Sequence, residues 1–448
     1  MGYGDNNTAD ASHGSHAQHH DALFLALPEW SGQSTSAWVM RLLSDSAFDT
    51  GQNIGLPVAK WRRDYPKVFN AIAELDPVDA APAFAERYLD YLSTTATWPG
   101  TDTPVGELAV TDPDARLSED ELDGLCADTG QADRKSSAAA VAAKITTYDT
   151  PMPMTPSATA ALDWVAANPD SLSLRGTTLV VIGGGAQLSP VRWLVNAGAT
   201  VVAVVRSDSP GRVKLVRDCA GACGRLILSP PDASDPVTQA QKTADFIASI
   251  PGPIAVLSTL YIPGSAFVHT ALAADCVVKA VAEARDDMVL CCTGSPSEAW
   301  RLPDGTVTKS IITLQGPNYL SAKLIERSRA LAMQADGRQV IAMILPPSPT
   351  ESVTISSQFE EVMTKAPLVG VYPASPRDAS GFAAGLLAYQ LANPDPARSL
   401  YITFAVHAGM WGNTIPARYR LTGALIASRL FKTRAEQALN QGRHRAAE

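Results

Sequence analysis

The glycine turn at 183–185 constrains this chain more than any other feature. It follows the apolar, β-branched run 177–182 and is followed, after room for one helix, by a second such run, 200–206. A buried strand, a turn whose glycines let the backbone approach a phosphate, and a helix whose first N–H groups point at that turn together form an anion site. The segment therefore predicts the beginning of a nucleotide-binding α/β domain.

From about residue 170, strand-like and helix-like segments alternate, which is typical of a parallel sheet covered by helices. Every interval between the strands is long enough for a crossover helix. We predict an α/β fold with a Rossmann-like, doubly wound parallel sheet of about seven strands and an N-terminal helical region. The predicted strands are 177–183, 200–206, 224–228, 254–260, 287–293, 339–345 and 399–406. The predicted helices lie near 190–198, 210–221, 235–249, 266–285, 317–334 and 380–392.

Further segments flank this domain, which we place at 166–412. Residues 21–165 carry apolar residues three and four positions apart and predict a helical N-terminal region. Within it, 97–135 is rich in Pro, Asp and Gly and predicts a loop with one short acidic helix. Residues 413–448 predict a C-terminal helix that packs either on the core or on a second subunit, so a homo-oligomer is one expectation.

The first 20 residues are small and polar and show no periodic apolar face. Burial cannot offset the ordering entropy of such a segment, so 1–20 is predicted to be a disordered tail. A solvated tail is favoured over a loose metal-binding tail because no rigid frame fixes the ligands. The histidines concerned are His13, His16, His19 and His20.

Composition excludes several classes of protein. The formal charge of −9 disfavours a general attraction to nucleic-acid backbones. No apolar stretch approaches the roughly 20 residues that span a bilayer, and no basic segment followed by an apolar core opens the chain, so a cytoplasmic location is predicted. The cysteines lack the paired spacing of a zinc site, and no metal is predicted. They are Cys126, Cys219, Cys223, Cys276, Cys291 and Cys292.

The glycine turn departs from the full dinucleotide fingerprint. Gly183 and Gly185 supply its first two glycines, but the third glycine position holds Leu188, which implies a shifted or wider entry into the helix. Ser189 is predicted to cap that helix and Pro190 to be its first residue. We predict that Gly183, Gly185 and Ser189 contact a cofactor. The alternative is that three glycines merely make a strand-to-helix turn.

The residue that ends the second predicted strand bears on the type of cofactor. Arg206 stands where an acidic residue would accept hydrogen bonds from a ribose 2′-hydroxyl. A guanidinium suits a 2′-phosphate instead, so NADP is favoured over NAD. Arg212 and Ser207 are near enough in sequence to assist. The alternative is a solvated arginine at a strand end.

A candidate catalytic pair lies between the fifth and sixth predicted strands. Tyr319 and Lys323 are four residues apart and therefore share one face of a helix. A neighbouring ammonium favours the phenolate and lowers the pKa of a tyrosine, which makes the phenol a usable acid or base. The same lysine could hold a nicotinamide ribose. The alternative is a tyrosine at the edge of the core and a solvated lysine.

These segments resemble the short-chain dehydrogenase/reductase superfamily, and the chain is interpreted as a divergent member with a long N-terminal helical extension. The resemblance covers about 171–412. It rests on the segments Leu174–Gly183, Asp232–Asp235, Tyr319-x-x-x-Lys323 and Ser399–Gly409. It implies that Tyr319 is the general acid for a carbonyl oxygen, that Lys323 is its electrostatic partner and a ribose ligand, and that Asp232 contacts adenine.

The resemblance also implies a substrate-orienting serine after the fifth strand, for which Ser295 is the candidate and Thr293 the alternative. The interval from Ser295 to Tyr319 is longer than usual in the family, and a hairpin at 303–306 is predicted to absorb the excess. The family's Asn-Asn-Ala-Gly after the fourth strand is replaced by 257–264. His269 and His407 are left outside the catalytic set.

The leading hypothesis is an NADP-dependent, ketoreductase-like oxidoreductase that reduces a carbonyl by hydride transfer. The substrate would be a small molecule or a carrier-bound acyl thioester, with NADPH supplying the hydride. The missing family residues leave an alternative open: a catalytically inactive relative that binds a nucleotide or scaffolds a larger assembly.

Overall fold

The computed structural model describes most of the chain. The described residues are 23–48, 58–127, 137–148, 152–354, 357–395, 398–411, 419, 421 and 422. The predicted tail 1–20 with its histidines lies outside the described residues. So does nearly all of the predicted helix 413–448.

Six parallel strands form one sheet in the order β3-β2-β1-β4-β5-β6, which confirms the predicted α/β, Rossmann-like class. The strands are β1 (Thr178–Ile182), β2 (Thr200–Val204), β3 (Arg225–Leu228), β4 (Ile254–Ser258), β5 (Met288–Gly294) and β6 (Val340–Ile344). Their centres are buried on both faces, as the β-branched runs predict for a sheet covered by helices. Because all strands run the same way, their carboxyl ends meet along one edge.

The prediction of about seven strands was wrong by one. Residues 399–406 form a turn instead of a strand, and among the described residues they pair with the sheet only through a bridge between Ala405 and Ile344. The backbone of Tyr401 has φ 65°, a left-handed conformation that ends an extended run. The Tyr401 ring packs on Trp300 with centroids 4.9 Å apart, so tertiary packing decides this conformation.

The helices surround the sheet on both faces. They are α1 (Thr35–Phe48), α2 (Val58–Ala73), α3 (Ala80–Thr95), α4 (Glu119–Gly124), α5 (Ala138–Thr146), α6 (Pro156–Ala167), α7 (Val191–Asn196), α8 (Pro210–Asp218), α9 (Ala240–Ala248), α10 (Ala266–Ala284), α11 (Gly316–Ala335), α12 (Glu351–Thr354), α13 (Ser357–Lys365) and α14 (Pro376–Ala392). Helices α9, α10 and α11 cover one face of the sheet, where Val180 and Ile182 point. Helices α7, α8 and α14 cover the other, where Leu179 and Val181 point.

The predicted N-terminal helical region is present. Helices α1, α2 and α3 pack on α10 and α11 and extend the core of that face. His269, on α10, accepts a hydrogen bond from the Leu25 N–H at Nδ1, 3.2 Å away, and its Nε2 lies 2.8 Å from the Thr35 hydroxyl. This buried histidine therefore joins the N-terminal region to the α/β domain.

Helices α10 and α11 are joined by a buried ion pair. The Arg329 guanidinium donates two hydrogen bonds of 2.8 Å to the Asp275 carboxylate. The side chains are 14% and 3% exposed, so little water screens the pair. The pair fixes α11, the helix that carries Tyr319 and Lys323, against its neighbour.

Both outer strands of the sheet have further neighbours. Cys126 forms an antiparallel bridge with Ile227 of β3, supported by hydrogen bonds from the Leu228 N–H to the Leu125 carbonyl and from the Ala127 N–H to the Leu226 carbonyl. At the opposite side, the segment around Ala405 lies beside β6. Within the part of the chain that the structure describes, no helix has both the length and the apolar character needed to cross a bilayer.

Candidate active site

The glycine turn leaves β1 at the carboxyl edge of the sheet and packs closely against its neighbours. Gly183 has φ 83°, and a Cβ atom there would lie 2.9 Å from the Leu260 side chain. At Gly184 a Cβ would lie 2.7 Å from Ala203 of β2, and at Gly185 it would lie 3.0 Å from Gly211 of α8. Each of the three glycines is thus required by close packing.

The turn also offers hydrogen-bond donors. The backbone N–H groups of Gly185, Gln187 and Leu188 have no hydrogen-bond partner among the described residues, and these residues are half-exposed. The helix that follows starts one residue later than predicted, at Val191, with Pro190 in the capping position. Ser189 is 4% exposed, and its hydroxyl accepts a hydrogen bond of 3.4 Å from the Val191 N–H.

Arg206 follows β2 at the same edge of the sheet. Its side chain is 40% exposed and forms an ion pair of 3.5 Å with Asp208, which is 56% exposed. Arg212 is engaged differently, because its guanidinium donates to the carbonyls of Val205 at 3.0 Å and Ser229 at 3.3 Å. Arg206, whose partner is an exposed aspartate, is therefore the more accessible of the two arginines for a ligand, and Arg212 holds the ends of two strands together.

Asp232 is placed after β3 on the surface of the molecule. Its carboxylate forms an ion pair of 2.7 Å with Lys242 of α9, and both side chains are largely exposed. The lysine holds the pKa of Asp232 below its usual range. The predicted adenine contact would have to share this carboxylate with Lys242.

Ser295, Tyr319 and Lys323 are brought together at the carboxyl end of β5. Burial has the largest effect on the pKa of Tyr319 and raises it, whereas the charge of Lys323 and, to a smaller extent, the nearby Ser295 side chain lower it. Thr293, the alternative to Ser295, instead accepts a hydrogen bond from Lys323 with its backbone carbonyl. Of the two candidates, Ser295 is the one whose side chain acts on the Tyr319 phenol.

The catalytic candidates and the glycine turn lie along one continuous edge. The segment after β4 connects them, since Leu260 contacts Gly183 and the ring of the next residue, Tyr261, lies 6.1 Å from the Tyr319 ring. The Phe267 ring of α10 lies 6.0 Å from Tyr319 on another side. The Tyr319 ring thus sits in an aromatic setting that sequence spacing did not reveal.

The electrostatic effect on Tyr319 differs from the prediction. The pKa of Tyr319 is raised to about 12, chiefly by burial; the charge of Lys323 lowers it by less than burial raises it, and Glu298 adds to the rise. Lys323 thus acts in the predicted direction, but burial, which the sequence pattern did not include, outweighs it and leaves the phenol with a raised pKa. The physical reason is that the phenolate would lose its hydration in this aromatic setting.

Lys323 is held by two acceptors. Its ammonium donates to the Thr293 carbonyl at 3.1 Å and to the Glu326 carboxylate at 2.8 Å. The negative charge of Glu326 raises the pKa of Lys323 above its usual range. Because an ammonium has three donors, one remains for a ligand hydroxyl.

Sequence reasoning missed Glu298, which shares a tight turn with Ser295. The Ser295 N–H donates to the Glu298 Oε1 atom at 2.6 Å, and the Ser295 hydroxyl lies 2.7 Å from the Ser297 hydroxyl. The turn is anchored by the Trp300 indole, which donates to the Ser295 carbonyl at 2.8 Å. A Ser-x-x-Glu pattern was the available signal, since it often marks such reciprocal side-chain and backbone bonds.

A second missed contact joins the glycine turn to the segment after β6. The Glu351 N–H donates to the Gln187 Oε1 atom at 2.7 Å, and the Gln187 amide donates to the Glu351 carboxylate at 3.1 Å. The two residues are 164 positions apart, so no local pattern in the sequence indicates this contact.

The residues present fit a phosphate-bearing nucleotide in chemical terms. Half-exposed N–H donors in the glycine turn, the exposed Arg206 guanidinium and a spare donor on Lys323 lie along one edge of the sheet. Backbone N–H groups suit a pyrophosphate. An arginine suits a 2′-phosphate, and a lysine suits a ribose hydroxyl.

The chain matches no protein-family model and no curated protein. It is similar to solved structures of an A1-type ketoreductase (16% identity, 88% of this chain and 87% of that chain, TM-score 0.38) and of A-type ketoreductases from a modular polyketide synthase (18%, 49% and 46%, 0.36). A dehydrogenase/reductase from Sinorhizobium meliloti 1021 is also similar (18%, 53% and 97%, 0.37). The match to the modular synthase protein spans less than half of that protein. With such TM-scores, fold and function rest on the residues of this chain itself.

Proposed function

We propose that this chain is a divergent short-chain dehydrogenase/reductase, and that it reduces a carbonyl substrate with NADPH. The observation that carries this proposal is the meeting of Ser295, Tyr319 and Lys323 at the carboxyl edge of the sheet, beside the glycine turn. Ligands of doubly wound sheets bind at this edge. The substrate class is a ketone or aldehyde, either free or as part of an acyl thioester on a carrier.

In this proposal Tyr319 donates its phenolic proton to the carbonyl oxygen of the substrate. The Ser295 hydroxyl, which lies close enough to Tyr319 to lower the pKa of its phenol, orients that oxygen. Lys323 favours the phenolate left behind and donates to a ribose hydroxyl. A bound nicotinamide coenzyme supplies the hydride.

The coenzyme would lie along the edge from Arg206 to Lys323. Gly183, Gly185 and Ser189 shape the turn that meets the pyrophosphate, and Arg206 meets the 2′-phosphate. Asp208 competes for the same guanidinium, so preference for NADPH is set by the balance between these two anions. Asp232 can contact the adenine of the coenzyme only if its carboxylate breaks the ion pair with Lys242.

The coenzyme assignment is tested by titrating NADPH and NADH into the full chain while following nicotinamide fluorescence. We expect NADPH to bind more tightly, and Arg206→Ala to remove most of that preference. Arg217→Ala is the matched control, because Arg217 is an exposed arginine on α8 paired with a neighbouring aspartate. Binding of neither nucleotide would contradict the proposed reductase, and a preference that survives Arg206→Ala would contradict the role of Arg206.

The chemistry is tested with a panel of ketones, aldehydes and carrier-bound β-ketoacyl thioesters. We expect Tyr319→Phe to lower kcat by at least about a hundredfold while nucleotide binding persists. Tyr389→Phe is the matched control, because Tyr389 lies on α14 and packs on Trp164 and Phe404. Equal turnover by Tyr319→Phe and wild type would exclude Tyr319 as the acid.

Two observations favour a second function, a non-catalytic relative that scaffolds an assembly. Leu260 lies against Gly183, where a pyrophosphate would approach. In addition, two surface clefts lie at the amino ends of the strands, away from the candidate catalytic residues; one is lined by Arg175–Thr178 and the other by Asp286–Val289. Absence of nucleotide binding in the titration above would favour this function.

A further inference from the structure

The turn after β5 contains a buried carboxyl group that the proposed roles of Ser295, Tyr319 and Lys323 do not use. Glu298 is 6% exposed. Its Oε1 atom accepts a hydrogen bond from the Ser295 N–H at 2.6 Å, and its own N–H donates to the Ser295 carbonyl at 3.1 Å. The carboxyl is therefore hydrogen-bonded to the backbone of Ser295, the residue whose hydroxyl is proposed to orient the substrate.

The backbone of Glu298 is fixed as firmly as its side chain. Its carbonyl accepts hydrogen bonds from the Ser310 hydroxyl at 2.9 Å and from the Thr308 hydroxyl at 3.3 Å. Both hydroxyls follow the hairpin at 303–306, which closes with a bridge between Arg301 and Val307. The turn is held in this way, so the backbone from which the Glu298 side chain reaches the Ser295 N–H is fixed.

The charged side chains that act on Glu298 lie on α11. Lys323 and Arg327 favour the carboxylate, whereas Glu326 disfavours it. Burial is the largest effect and raises the pKa of Glu298 to about 7. Tyr319 and Tyr401 face the same carboxyl, which raises the pKa of each. Both protonation states of Glu298 are thus accessible near neutral pH.

We propose that Glu298 is a positioning residue of this site: its carboxyl orders the Ser295 turn, and its charge governs how readily Tyr319 gives up its proton. The role attributed to Tyr319 rests on the proposed reductase function. The protonation of Glu298 itself does not, because it depends only on the residues around the turn.

The direction of the effect follows from the sign of the charge. When Glu298 takes up a proton from water, it is neutral and Tyr319 is the better proton donor. When Glu298 is ionised, its negative charge opposes formation of the Tyr319 phenolate. With the coenzyme bound, reduction is therefore faster at a pH below the pKa of Glu298 than at a pH above it.

The experiment needs neither coenzyme nor substrate. Infrared difference spectra of the full chain between about pH 5 and about pH 9 record the C=O band of protonated carboxyl groups. We expect wild type to lose such a band across neutral pH, and Glu298→Gln to lack it. Glutamine keeps the oxygen that accepts the Ser295 N–H, so the turn is preserved. Glu283→Gln is the matched control, because Glu283 is an exposed partner of Lys279, and it should leave the band unchanged.

The effect on Tyr319 is measured by phenolate absorbance at high pH. The titration of Tyr319→Phe is subtracted from that of wild type, and the titration of the double variant is subtracted from that of Glu298→Gln. Each difference isolates this phenol from the other tyrosines. We expect the titration midpoint of Tyr319 to fall by about one pH unit in Glu298→Gln. An unchanged midpoint, or an infrared band that persists in Glu298→Gln, overturns the proposal.

A second variant keeps the proposal testable should Glu298→Gln fail to fold. Lys323→Met removes the cation that most favours the Glu298 carboxylate, so the infrared band should persist to higher pH than in wild type. A band that titrates at the same pH in both proteins would mean that the titrating carboxyl does not sense Lys323 and is not Glu298, which overturns the proposal. If the infrared results agree with the proposal but NADPH does not bind, the reductase function fails while the protonation of Glu298 stands.

Discussion

The Lys323 ammonium and the Glu326 carboxylate form an ion pair of 2.8 Å, one helical turn apart on α11, with side chains only 13% and 11% exposed. The same ammonium bonds to the Thr293 carbonyl at the end of β5. The pair thus joins the helix that carries Tyr319 to the strand that leads to Ser295. Its charges are screened little by water, so its loss should have a measurable cost.

Replacing Glu326 tests that cost. We expect Glu326→Gln to lower the free energy of unfolding by about 2 kcal/mol, because a buried ammonium exchanges a charged acceptor for a neutral one. Urea denaturation at neutral pH measures the change. Glu283→Gln breaks the more exposed pair with Lys279 and should cost less than about 1 kcal/mol. Equal losses in the two variants would contradict a structural role for the Lys323–Glu326 pair.

Asp208 gives a prediction about coenzyme preference. Its carboxylate lies 3.5 Å from Arg206 and would repel a 2′-phosphate bound there. We expect Asp208→Asn to tighten NADPH binding about fivefold, the scale of an exposed ion pair, and to leave NADH binding unchanged. Fluorescence titration measures both affinities. Asp218→Asn is the control, since Asp218 pairs with Arg217 at the far end of α8. If Asp208→Asn tightened NADH binding as much as NADPH binding, repulsion between Asp208 and the 2′-phosphate would be contradicted.

The buried pair of Asp275 and Arg329 predicts a larger loss of stability. Asp275→Asn leaves a 14% exposed guanidinium without its carboxylate, and we expect it to lower the free energy of unfolding by about 3 kcal/mol. Adding Arg329→Met in the same chain removes the unpaired charge and should recover part of the loss. Denaturation of the single and double variants measures the coupling. A double variant less stable than Asp275→Asn would contradict this account.

His269 predicts how stability depends on pH. The Leu25 N–H donates to its Nδ1 atom, so the folded protein holds a neutral ring, and burial lowers its pKa to about 4. The unfolded chain binds a proton below about pH 6.5 that the folded protein does not bind. Stability attributable to His269 is therefore complete above about pH 6.5 and falls as the pH drops toward about 4, by about 2 kcal/mol at about pH 5.

The measurement is urea denaturation at neutral pH and at about pH 5, with His269→Gln for comparison. The variant should be less stable at neutral pH, because it loses the hydrogen bonds of the His269 ring with the Leu25 N–H and the Thr35 hydroxyl. It should also lose less stability on acidification than wild type does. If both proteins lose the same amount, the acid sensitivity originates elsewhere.

The six strands could be predicted because each is a short apolar run that is buried on both faces, and such runs carry their own signal. The failure at 399–406 has an equally specific cause. Its β-branched composition favours a strand, but Tyr401 adopts φ 65° and packs on Trp300. Trp300 lies about a hundred residues earlier in the chain, so no local pattern could reveal the contact.

The candidate site was predictable to a similar extent. Tyr319 and Lys323 share a helical face because of their spacing, and Arg206 follows a strand, so both features are local. The raised pKa of Tyr319 is not local, because it comes from burial and from Glu298. Glu298 in turn is buried by a turn that Trp300 and Ser310 hold in place, contacts that only the folded chain brings together.

The pairing at the two outer strands limits how this protein can associate with other chains. Residues 125–127 satisfy backbone groups of β3, and the segment around Ala405 does so for β6. Exposed strand edges are the surfaces on which a sheet recruits additional strands from other proteins. Since both edges already have a neighbour, growth of this sheet by strand addition would first require one of these segments to detach, and assembly through helical faces avoids that step.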